Sequence, residues 1–68
     1  MNIGAFIAMK RRAKGLSQAE IEHRLQMSRG SMAHIEANPN GGRWSTIEKI
    51  CELIGISPDE LEGVDMKS

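Results

Sequence analysis

Several things are scarce in this chain, and each scarcity closes a route. It has one cysteine in 68 residues, so no internal disulfide can staple it. It has no tyrosine, one tryptophan and one phenylalanine, which leaves isoleucine, leucine and methionine to build the core. No apolar run approaches the roughly 20 residues that a transmembrane helix requires. Ile3 to Met9 is apolar, but Lys10, Arg11, Arg12 and Lys14 follow it. A secretion signal carries its charge first and its apolar stretch second, so a cytoplasmic chain with no membrane partner is expected. There is no sequence for a second core. The expectation is one marginally stable domain over residues 1–62 and a short tail over 63–68.

Catalytic and metal-binding chemistry is equally scarce. His23 and His34 stand eleven apart with Cys51 distant, which is neither metal-ligand spacing nor a nucleophile–base set. Gly41-Gly42 is too short for a nucleotide phosphate loop and follows no strand-like run. No enzyme activity, cofactor, metal or small-molecule ligand is expected. Net charge is zero, which at first argues against nucleic acid, but the charge is unevenly spread. Residues 1–43 hold seven lysines and arginines against three glutamates, while residues 44–68 hold two lysines against six acidic residues. A phosphate backbone would meet the basic part.

What the chain does contain is helical punctuation. Helix one is expected over Ile3 to Lys14, burying Ile3, Phe6, Ile7 and Ala13, with Gly15 as its cap. Ser17 caps helix two, to Leu25, with Glu20 closing a capping box. Ile21 and Leu25 are its apolar positions, helped by Leu16 and Ala19. Ser28 is expected to cap helix three, which runs to about Ala37 and carries Met32 and Ile35. Asn38-Pro39-Asn40-Gly41-Gly42 is the strongest break. Ser45 and Glu48 would box the start of helix four, with Gly55 ending it; Ser57-Pro58-Asp59-Glu60 would open a short fifth helix anchored by Leu61. Cys51 falls among Ile47, Ile50 and Ile54 and reads as a buried small hydrophobe. No run alternates as a strand. Helices two and three stand so close in sequence that they must turn sharply and share a core, the geometry of a helix-turn-helix.

Leu16-Ser17-Gln18-Ala19-Glu20-Ile21, followed by Ser28 through Glu36, resembles the lambda-repressor-like (Cro-like, or XRE) helix-turn-helix family. The likeness extends from Ile3 to Leu61, five segments in order. It implies an all-α, compact five-helix DNA-binding domain. By this resemblance, Ser28, Arg29, Gly30, Ala33 and His34 match positions used against bases or nearby phosphates. Arg29 is the strongest base reader, because a guanidinium can bridge O6 and N7 of guanine. Ala33 suits a thymine methyl group, and His34 a base or a phosphate. Gly30 permits close approach, at a cost of about 1 kcal/mol if it lies inside a helix. Gln18, Ser31, Asn38, Arg43, Trp44 and Ser45 are the expected phosphate contacts. Gln18 opens a helix whose free N–H groups suit an anion, and in the family it also braces a recognition-helix side chain. Trp44 is expected to pack most of its ring under the loop, the alternative being to flank the DNA backbone. Arg11 and Glu36 match a buried salt bridge. Two positions depart from the family: Glu22 where a small residue is usual, and Gln26 where glycine often takes a left-handed turn.

The implied function is a sequence-specific regulator of duplex DNA, of phage or bacterial type and chiefly a repressor, acting as a homodimer on a palindromic operator. The alternative is a protein-interaction module of the same fold, such as an antitoxin or a repressor-modulating factor. Leu53, Ile56, Leu61 and Val64 are the candidate dimer contacts; otherwise they close the core of the single chain.

Overall fold

The computed structural model describes residues 2–57 and 59–61. Four helices follow in order: α1 (Ile3–Ala13), α2 (Gln18–Arg24), α3 (Ser31–Ala37) and α4 (Trp44–Ile54). Residues 59–61 form a last short helical segment, and there is no strand among the described residues. Nor is any helix among them long and apolar enough to cross a membrane. The expected tail over 63–68 lies outside the described residues.

Helix α1 opens on Asn2, whose side chain accepts the Ala5 N–H at 2.8 Å, a cap the sequence reading did not identify. Its buried stripe is Ile3, Gly4, Phe6, Ile7, Ala8 and Arg11. Ala13 is exposed, against expectation, because it lies two residues beyond Arg11 and so on the opposite side of the helix. The helix stops at Ala13 with Lys14 as its cap, and Gly15 follows with φ +74°. Gly4 is where α1 approaches α3. A Cβ there would stand 2.3 Å from the Asn38 carbonyl oxygen and 2.6 Å from those of Ile35 and Glu36. Only hydrogen fits between those backbones. The Ile3 N–H also donates to the Pro39 carbonyl at 2.9 Å, which ties the loop after α3 to the start of α1.

Helix α2 begins as the sequence predicts. Ser17 Oγ accepts the Glu20 N–H and Glu20 Oε1 accepts the Ser17 N–H, both at 3.0 Å. Ala19 is exposed and does not help the core, whereas Leu16 and Leu25 pack against its edge. Gln26 takes φ +55°, the left-handed turn expected of that position, at a cost of about 1–2 kcal/mol for a residue with a Cβ.

Three expected starts come out differently. Helix α3 begins at Ser31, three residues after its predicted cap Ser28, with Gly30 in the cap position at φ +89°. Helix α4 begins at Trp44 with no side-chain cap, since the Arg43 carbonyl takes the N–H groups of both Thr46 and Ile47. Ser45 thus lies inside the helix, and its capping box with Glu48 does not form. At the last segment Glu60 Oε2 accepts the Ser57 N–H at 3.0 Å, but the Glu60 N–H goes to the Ser57 carbonyl, so only half of that box is present.

The core is aliphatic, with Ile7, Ile21, Met32, Ile47, Ile50, Ile54 and Leu61 fully enclosed. Cys51 lies among them, and burial pushes its thiol pKa up, with Glu48 and Glu60 adding to the rise. Trp44 does not join this core. It is 45% exposed at the first turn of α4, which corrects the expectation that most of its ring is packed.

Candidate nucleic-acid interface

Two buried carboxylates hold α3 in place, one at each end. At the far end, Glu36 Oε2 accepts Arg11 Nε at 2.6 Å, and Glu36 Oε1 accepts Arg11 Nη2 at 3.2 Å and Gln18 Nε2 at 2.9 Å. Arg11 Nη1 donates to the Leu16 carbonyl at 2.8 Å. One guanidinium therefore joins α1, the α1–α2 turn and α3, and one amide joins α2 to α3. The ion pair is sequestered, with side chains 9% and 8% exposed. Burial by itself would raise the Glu36 pKa. Hydrogen bonds from Arg11 and Gln18 and the charges of Arg11 and Arg12 outweigh it and hold the carboxyl below the usual range.

At the near end stands Glu22, which the sequence marks only as a departure from the family pattern. It is 8% exposed. Its Oε2 accepts the Gly30 N–H at 3.0 Å and the Met32 N–H at 2.9 Å. The side-chain cap of α3 thus comes from α2 and not from the residues just ahead of it. The signal for this was present but weak: a glutamate beside the Ile21–Leu25 stripe, eight residues before a glycine. The cost assigned to Gly30 inside a helix does not apply, since it lies ahead of the helix at a φ where glycine is favoured.

The outward surface follows from these anchors. Met32 and Ile35 point into the core, so Ala33 and His34 face out on α3, with Ser31 half-buried at its start. Ser28, Arg29 and Gly30 are exposed on the turn before it. Ser28 uses its backbone here, its carbonyl accepting the Ser31 N–H at 3.1 Å. Gln18 is half-buried with one amide N–H committed to Glu36, which leaves its second for another acceptor. Asn38 caps the end of α3, and its Oδ1 accepts the Asn40 N–H at 2.9 Å. Arg43, Trp44 and Ser45 are all exposed at the start of α4.

The candidate dimer residues fare differently. Ile56 and Leu61 are buried in the core of the single chain, Leu53 is half-buried, and Val64 lies outside the described residues. Lys10 stands 3.6 Å from Glu60 and over the Phe6 ring. No cluster of three or more histidine, cysteine or acidic side chains that could hold a metal ion occurs among the described residues.

A family model described as a helix-turn-helix domain matches residues 2–63, most of the chain. No curated protein and no solved structure matches it significantly.

Proposed function

This chain belongs to the helix-turn-helix domain family, and from that premise we propose that it is a sequence-specific regulator of duplex DNA, chiefly a repressor. The observation that carries this reading is the exposed row formed by Arg29, Ala33 and His34 on and just before α3, whose ends are tied down by Glu22 and Glu36. A helix fixed at both ends, with small residues and His34 on its free face, suits close approach in the major groove. Arg29 reads guanine, Ala33 meets a thymine methyl group, and His34 takes a base or a phosphate. Ser28 and Gly30 let the turn approach closely.

Phosphate contacts come from both sides of this row. The free amide N–H of Gln18, Ser31 and Asn38 lie near α2 and α3, while Arg43, Trp44 and Ser45 stand exposed at the start of α4. The basic excess of residues 1–43 supports the same face. A homodimer would place two such rows about 34 Å apart on a palindromic site. Among the described candidates for that contact Leu53 keeps apolar surface, since Ile56 and Leu61 serve the core.

Titration of fluorescent duplexes, random and genomic, over a salt series tests the reading. Binding should weaken steeply with salt as phosphate contacts release counterions. Arg29→Ala should lose more affinity for the preferred site than for random duplex. Binding to no duplex at low salt would reject DNA and favour the protein-interaction module instead.

A further inference from the structure

The turn ahead of α3 can be organised in two ways. Ser28 has the side chain of a good N-cap, and a helix begun on it would run from Arg29. In the structure Gly30 takes the cap at φ +89°, and Glu22 Oε2 receives the N–H groups of Gly30 and Met32. These arrangements exclude each other, because a helix begun at Ser28 needs Gly30 in a right-handed helical conformation. Two observations show which demand rules. Glu22 is buried, and a buried carboxylate without donors is among the costliest arrangements in a protein. Nothing lies within 4 Å of a Cβ placed on Gly30, so glycine meets a backbone demand there and not a spatial one. Met32, Ile35 and Glu36 pin the body of α3, so its start is the part with a choice.

We infer that Glu22 is a positioning residue that sets where the recognition helix begins. Its carboxylate holds the start at Ser31 and presents Arg29 from a turn ahead of the helix. Were residues 29 and 30 helical, the Arg29 side chain would leave the backbone in another direction and meet a different base edge. The consequence for DNA rests on the reading proposed above; the hold on α3 does not.

Carbon chemical shifts of Ser28, Arg29 and Gly30 test the hold. In the unaltered chain Arg29 and Gly30 should be non-helical; helical shifts there overturn the inference, whatever the variants do. Glu22→Gln keeps one carbonyl oxygen as acceptor and should leave the turn as it is. Glu22→Ala should give helical shifts at Arg29 and Gly30, and an unmoved helix start overturns the inference. Gly30→Ala should lower Tm by about 5 °C in the unaltered chain, where the positive φ must be kept. On the Glu22→Ala background it should raise Tm or leave it unchanged, because alanine is favoured in a helix. An equal loss on both backgrounds counts against the inference. On DNA, Glu22→Ala should reduce the ratio of specific to random-sequence affinity about tenfold, and Glu22→Gln should preserve it. A moved helix start with an unchanged ratio would leave Glu22 without a positioning role. If the unaltered chain binds no duplex, the DNA reading fails alone, since shifts and Tm still decide whether Glu22 holds α3.

Discussion

Helix α2 starts on a capping box closed between Ser17 and Glu20, four consecutive residues of chain. Helix α3 starts on a carboxylate supplied by Glu22, eight residues before Gly30 and in the body of α2. The first start is a property of local sequence, and α2 could nucleate on it before any tertiary structure exists. The second forms only when α2 and α3 have met. It ties the beginning of the DNA-facing helix to the helix that supports it, so α3 is held in orientation as well as in place. Its far end repeats the arrangement, with Glu36 gathered in by Arg11 and Gln18 from other helices.

The largest effect is expected at the far end of α3. Arg11→Ala leaves the Glu36 carboxylate buried without its ion pair and should cost about 3–5 kcal/mol, a large share of what a small domain has. Urea denaturation measures it, and a loss below about 1 kcal/mol would mean that Glu36 is solvated after all. At the near end Glu22→Ala removes two hydrogen bonds to a charged acceptor and should cost about 2 kcal/mol. Ser17→Ala removes half of a local capping box and should cost about 1 kcal/mol. If the two variants were equally stable, the long-range start would carry no more than the local one.

Acid should loosen the far end of α3. The Glu36 pKa is lowered in the folded chain. Its stabilising contribution is therefore complete above the unfolded-state value, about 4.3, and fades as pH falls through the lowered folded value. Melting curves between pH 7 and pH 3 should show that loss, and Arg11→Ala should blunt it. The smallest effect is expected at Cys51. It lies in the core with its thiol pKa raised, so thiol reagents should label the native chain slowly and leave DNA binding intact. Fast labelling with loss of binding would show that α4 opens readily.

The same contrast explains what could be read from sequence. The order of the helices, the Ser17–Glu20 box and the buried stripe of α4 are local or periodic features, and each was legible in the residues, whereas the left-handed turn at Gln26 followed from family resemblance. The Arg11–Glu36 pair was reached through family resemblance and is present. Three features were not legible. Ser28 looks like a cap, but Gly30 takes the cap position, and the Glu22 carboxylate, distant in sequence, receives the Gly30 and Met32 N–H groups. Ser45 and Glu48 have capping-box spacing, but the Arg43 carbonyl starts α4 too early for them. Trp44 is large enough to dominate a small core, yet its place on the first turn of α4 leaves it nearly half exposed. In each case a tertiary contact or a shift of one to three residues at a helix start decided the outcome, and helix starts are where local patterns are weakest.

Contact with DNA through α3 and the start of α4 should be visible in amide chemical shifts as a duplex carrying the preferred site is added. Large changes are expected at Gln18, across residues 28–34 and at Arg43, Trp44 and Ser45, with little change at Glu48 and Glu52 on α4. Changes concentrated on that later part of α4, with Arg29, Ala33 and His34 unmoved, would contradict it.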